Sequence, residues 1–197
     1  MKCFLRDRNP ALVKAWKRRF AHIPQVEASQ GDIFDLQADA VISPANSFGF
    51  MDGGIDLVYS KRFGWHVQER LQERLRQEHD GELPVGLAVL VHTDDPHIPY
   101  CISAPTMRAP APVSNTLNAY LAFRAALRVA LGFNRTHPGA ITTILSPGMA
   151  TATGQMDPDI CAKQMLAAWT QVIEGQSWVA SDINTIINEH YRLLRHD

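Results

Sequence analysis

Residues 43–56 read SPANSFGFMDGGID. The stretch joins an apolar run, Ala40-Val41-Ile42, to a segment of helical period. It gathers Gly49, Gly53 and Gly54, with Pro44 and Asn46, into the join. Glycine loses more conformational freedom on ordering than any other residue, so such a cluster marks left-handed turns or a backbone that a ligand approaches closely. On residue types alone, a plain strand-to-helix turn is the other reading.

Outward from this stretch, apolar runs of strand length alternate with segments of helical period, the pattern of an α/β sandwich around a mixed or parallel sheet. Strands are expected at residues 2–5, 26–28, 40–43, 87–92, 100–104 and 140–145. Pro10 suits the first turn of a helix capped by Asn9 and running to about Ala21. A helix from Ile55 is expected to break at Gly64 and resume through Val67, Leu71 and Leu75. Further helices are expected through Leu117–Leu131, with Ser114 as a candidate cap, over 158–174, and over 182–194. The chain of 197 residues is expected to form one domain, residues 1–197, since no linker is visible.

The charge balance is 20 acids against 19 bases. A net charge of -1 gives neither nucleic acid nor a membrane surface an overall field to follow, so an anionic ligand needs local backbone donors. No apolar run reaches spanning length and the first residues, MKCFLRDRNP, are charged, so a cytoplasmic protein is expected. Cys3, Cys101 and Cys161 are odd in number and far apart, which suits packed, reduced thiols.

A second loop of small residues, GMATATG at 148–154, also follows an apolar strand and precedes a helix. In open α/β sheets, ligands collect at the carboxyl ends of the strands, where unpaired amides at helix starts favour anions. Two such loops can grip one diphosphate from both sides. GxxxxGK[ST] and GxGxxG are absent, as is a GxSxG elbow around Ser43, Ser47 or Ser146. HTDDPH at 92–97 reads as a polar turn rather than a metal site. No cofactor and no metal are expected.

Taken together, Gly31-Asp32-Ile33, ADAVISPANS, MDGGID and ILSPGMATATG resemble the macrodomain (ADP-ribose-binding, Appr-1-p processing) family, in its order and over roughly residues 26–175. The resemblance implies a three-layer α/β/α sandwich with a central mixed sheet, and a divergent subclass. It also implies that the ligand is ADP-ribose, free or carried on a protein or small molecule. By the same resemblance Asp32 accepts from the adenine amino group and the Ile33 amide contacts the base. Asn46 binds the distal ribose, Gly53, Gly54 and Ile55 line the first phosphate loop, and Thr151, Ala152, Thr153 and Gly154 wrap the diphosphate. Asp32 as a turn cap and Asn46 as a turn-stabilising amide are the rival readings.

The resemblance leaves activity open between hydrolysis of an ADP-ribosyl bond and non-catalytic recognition, including a scaffold for another nucleotide or an ADP-ribosylated partner. In hydrolytic members an aspartate after the glycine run orients water beside the distal ribose. Asp56 holds that place, with Asn46 as its partner, and helix capping is its rival role. The chain departs from those members at SPAN for NAAN, at FMDGG for a longer glycine run, at Leu57 and Ser60, and in ATATGQM. MDGGIDLVYSKRFG resembles the terminal ADP-ribose glycohydrolase type, but Ala104 stands where that type has its catalytic lysine. The glutamate pair of polymer-degrading glycohydrolases has no counterpart in SPANSFGFMDGG.

Overall fold

Pairing side by side sorts the apolar runs into one sheet. The computed structural model describes residues 1–176, 180 and 182–196. The strands are β1 (Lys2–Asp7), β2 (Val26–Gln30), β3 (Ala40–Ser43), β4 (Val89–His92), β5 (Tyr100–Ser103) and β6 (Thr143–Ser146). Their order is β2-β1-β6-β3-β5-β4. All neighbours are parallel except β4, which runs antiparallel to β5, so the sheet is mixed as expected. β3 lies in its interior and is buried at every position, which is why AVIS is apolar without alternation.

Alternation of side chains splits the core into two layers. Ile42, Ile102 and Ile144 point to one face, where they meet Leu12 and Trp16 of α1 (Pro10–Arg19), Phe123 and Leu127 of α4 (Asn118–Thr136), and Met165 and Trp169 of α5 (Pro158–Val172). Val41, Cys101 and Leu145 point to the other. There they meet Tyr59 and Phe63 of α2 (Gly54–Phe63) and the stripe Val67, Leu71 and Leu75 of α3 (His66–His79). The three cysteines are free and buried.

Local chemistry sets most helix ends. Asn9 Oδ1 accepts from the Ala11 amide at 3.0 Å with Pro10 behind it, and α1 ends on Lys17, Arg18 and Arg19, whose charges suit a helix C-terminus. Gly64, at φ 99°, separates α2 from α3. Asp157 caps α5, and Arg19 grips Asp159 in its first turn through two hydrogen bonds of 2.9 and 2.5 Å. α6 (Ile183–Leu194) is tied to α5 at its C-terminal end: buried Lys163 and Gln164 donate to the carbonyls of Arg195 and Leu193 at 3.0 and 3.2 Å.

Among the boundaries that differ from the sequence reading, three have a visible cause. Ser114 does not cap α4; the helix starts at Asn118, and it is Thr116 Oγ1 that accepts from the Asn118 amide at 3.2 Å. β4 begins at Val89 because Leu87 sits in a bridge with Val85 and is exposed. β6 begins at Thr143 rather than Ala140, because Asn134 holds both the amide and the carbonyl of Ile141, at 2.8 and 2.7 Å, and bends the chain there.

One carboxylate fixes β6 beside β3. Asp39 Oδ2 accepts from the amides and hydroxyls of both Thr142 and Thr143 at 2.7–2.9 Å, and the Asp39 amide donates back to Thr143 Oγ1 at 2.9 Å. Partial burial pushes its pKa up, but the threonine hydrogen bonds outweigh that and hold it below the usual carboxylate range. A depressed folded pKa contributes stability above the unfolded value, and loses it as pH falls through the folded one. Asp39→Ala is expected to cost about 1–2 kcal/mol at pH 7, partial exposure screening the sum of the bonds. Urea unfolding should show that cost shrinking below the carboxylate range.

Candidate functional site

β3 and β6 are parallel neighbours, with Ala40 opposite Ile144 and Val41 opposite Leu145. The loops that leave their carboxyl ends, SPANSFGFMDGG and PGMATATGQM, therefore emerge side by side. They share a cleft of about 550 Å³ with the connections after β1, β2 and β5. The candidate ligand-binding and catalytic residues all line it: Asp32 and Ile33, Asn46, Gly53, Gly54, Ile55 and Asp56, and Thr151, Ala152, Thr153 and Gly154.

Each loop presents backbone donors. Gly53 occupies the N-cap of α2, and among the described residues no side chain caps the amides of its first turn, which leaves them open to a ligand. In the late loop the amides of Gln155 and Met156 donate back to the carbonyls of Ala152 and Ala150, both at 3.0 Å, and Ala150 takes φ 64°. The amides of Ala150 through Gly154 donate to no other group among the described residues. The result is two rows of unclaimed N–H groups on adjacent loops, one of them carrying the positive end of a helix.

The glycines divide by what they meet. A Cβ on Gly154 would lie 2.5 Å from the carbonyl oxygen of Ala150, so the loop's own closure requires glycine there. A Cβ on Gly53 would meet nothing within 4 Å, and its φ of -141° suits any residue. The fold places no demand on position 53. The space beside it belongs to the cleft.

At the Asp32 end the carboxylate is held on both oxygens. Oδ1 accepts from the Phe34 amide at 3.0 Å, capping a short 3-10 turn over Ile33–Asp35, and Oδ2 accepts from Arg8. These two hydrogen bonds, the backbone one first, hold its pKa below the usual range. A carboxylate has about four acceptor positions, so capacity remains for a further donor. The Ile33 side chain is buried in the core; what it offers the cleft is its amide, which donates to no group among the described residues.

Asn46 is turned into its own loop. Oδ1 accepts from the amides of Phe48 and Phe50 at 3.0 and 3.3 Å, and Nδ2 donates to the Phe50 carbonyl at 2.8 Å. One amide N–H remains for the cleft. Thr151 is half-buried, whereas Ala152 and Thr153 are exposed.

Asp56 does not cap α2. It sits in the first turn and points inward, only 6% exposed, where Ser43 Oγ donates to its Oδ1 at 2.5 Å. Oδ2 has no hydrogen-bond partner among the described residues, and the residue lines the cleft. Burial pushes its carboxyl up, the Ser43 hydrogen bond pulls it down and the charge of Asp52 adds to the rise, leaving it at about 7. A carboxyl poised there exists in both protonation states at neutral pH.

Sequence reading missed four lining or supporting residues. Asp7, at the end of β1, accepts from the Gly148 amide at 3.0 Å and so anchors the start of the late loop. Arg8 is the cation on Asp32. Ser43 was weighed only as a nucleophile, yet it serves Asp56. Phe50 lines the cleft with 53% of its surface exposed. A polar residue closing a buried strand was the available signal for Ser43; nothing in the local pattern marks the others. HTDDPH forms a turn in which Asp95 Oδ1 accepts from the amides of His97 and Ile98 at 2.8 and 3.1 Å.

Known proteins resemble the chain in sequence and in shape. It is 30% identical over 141 residues to an uncharacterized protein of Aquifex aeolicus (strain VF5), covering 72% of this chain and 78% of that one. Its fold matches the macrodomain of Mycobacterium tuberculosis DarG at a TM-score of 0.60 with 21% identity, over 73% of this chain and 88% of that one. It matches a mutant macrodomain of Oceanobacillus iheyensis, solved with ADPR, at 0.60 with 19% identity, over 83% and 90%. The model of the family described as Macro domain matches residues 42–165. That span runs from inside β3 into α5 and takes in both loops of the cleft with the strands that carry them. On that ground the chain belongs to the Macro domain family.

Proposed function

We propose that the cleft binds ADP-ribose or an ADP-ribosyl derivative, with the diphosphate between the two rows of unclaimed amides. Those rows are the observation that carries the reading. They lie on loops that leave adjacent strands and line one cleft, and no side chain among the described residues uses them. A diphosphate matches them in charge, in acceptor number and in its need for close backbone approach. The solved relative with ADPR supports the same class of ligand. The adenine then lies towards Asp32 and the Ile33 amide, and the distal ribose towards Asn46 and Asp56.

At the ribose end Asp56 supplies hydrolytic chemistry. As a carboxylate it orients a water on the anomeric carbon through Oδ2 and stabilises the positive charge that develops as the bond to the leaving group breaks. Ser43 holds the opposite oxygen, so the reactive oxygen is fixed in direction. Asn46 contributes its remaining N–H to a ribose hydroxyl. One observation favours recognition without turnover: the Asn46 side chain is largely spent on its own loop.

Three outcomes check these roles. Gly53→Val fills the cleft but meets nothing in the fold, so Tm should stay within about 2 °C. Calorimetry should then show ADP-ribose affinity falling at least about tenfold, the loss of one good contact; unchanged affinity would place the diphosphate elsewhere. Asp32→Ala should weaken ADP-ribose by about 1–2 kcal/mol, one charge-assisted hydrogen bond, while ribose 5-phosphate, which has no base, is unaffected.

Asp56→Asn should abolish release of ADP-ribose from a modified substrate and leave ADP-ribose affinity within about threefold. The working form is the carboxylate, so turnover should rise with pH through about 7. If the unmutated protein releases nothing from protein, nucleic-acid or small-molecule conjugates, binding alone remains.

A further inference from the structure

Behind Asp56 the structure holds a second hydroxyl with no assigned use. Ser103 closes β5 as Ser43 closes β3, and the two are direct partners in the parallel ladder. Both lie on the sheet face that carries Val41 and Cys101, under α2. Ser43 is fully buried and Ser103 is 1% exposed, yet Ser103 Oγ has no hydrogen-bond partner among the described residues. Buried hydroxyls without partners are rare and costly.

We propose that Ser103 and Ser43, bridged by one internal water, form a hydroxyl relay behind Asp56 that positions its carboxyl for the cleft. The inference rests on the reading of Asp56 as the hydrolytic carboxyl. Paired positions on neighbouring strands are ~4.8 Å apart, so their hydroxyls are separated by about one bridging water. The directions follow from what is already donated. Ser43 spends its only proton on Asp56 Oδ1, so its oxygen has acceptor capacity left. The water donates to that oxygen and accepts from Ser103, whose hydroxyl then has a partner.

The groups facing Asp56 make the relay effective. Asp52 in the preceding loop raises its carboxyl; Cys101 on β5 and Tyr59 on α2 are neutral groups that burial pushes further up. No cation faces it among these neighbours. Hydroxyl donation from Ser43 is the side-chain hydrogen bond that favours the Asp56 carboxylate, and Ser103 strengthens it by polarising Ser43. Ser103 is a positioning residue: it touches no ligand, since the cleft is lined by Asp56 and not by Ser103.

Titration of the Asp56 carboxyl by 13C NMR in the ligand-free protein tests this without turnover. Ser103→Ala should raise the Asp56 midpoint by half a pH unit or more, Ser43→Ala should raise it further, and Ser103→Thr, which keeps the hydroxyl, should restore it. Thermal melts give a second reading. Deleting an orphaned hydroxyl raises Tm, whereas deleting a bridged one lowers it. An unmoved midpoint in Ser103→Ala, or a raised Tm, overturns the proposal. Where the unmutated protein hydrolyses nothing, the catalytic reading of Asp56 falls, and the midpoint and melting results still decide the relay.

Discussion

The parallel pairing of β3 with β6 is the constraint on which the rest depends. It joins two strands that lie about a hundred residues apart in sequence and points both carboxyl ends to the same edge, so that the two loops face one ligand volume. At the opposite end Asp39 gathers four donors from Thr142 and Thr143. Its register decides where the two loops leave the sheet relative to one another. A slip of one residue would turn Ser43 to the other face of the sheet and remove it from Asp56.

The proposed recognition of an anion by a chain with net charge -1 rests on where the charges are spent. The cleft is lined by Asp7, Asp32, Asp52 and Asp56 together with Arg6 and Arg8, and the arginines are engaged with Asp35 and Asp32. Side-chain charge thus offers a diphosphate little. On the proposed reading backbone dipoles carry the attraction instead, since amides at a helix start are fixed in direction and cost nothing to reorient. This explains small residues in both loops. A side chain there holds the ligand away from the donors.

Polar side chains around the cleft serve its shape before they serve a ligand. Asn46 closes its own loop, Asp7 fixes the start of the late one, and Met51 is held through its amide by Gln68 and through its carbonyl by Ser60, at 2.7 and 2.8 Å. The Ser60 hydroxyl is used to anchor the loop. Asp56 differs from these, with one oxygen held from below and the other without a partner among the described residues. Pre-organised and incompletely satisfied, it is the carboxyl to which the proposed chemistry is given.

The order of strands and helices, the break at Gly64, the cap at Asn9 and the two loops of small residues were legible in the sequence alone. Each is written in local terms, as apolar period, turn chemistry or a conformational demand on glycine. Ends set by distant partners were not: β6 starts late because Asn134 and Asp39 take hold of its first residues. The ion pair of Arg8 with Asp32, the self-binding of Asn46 and the seat of Asp56 on Ser43 were decided only in three dimensions. A polar side chain takes its partner from whichever strand the sheet sets beside it, and hydrophobic periodicity says which face a residue occupies without saying what stands across from it.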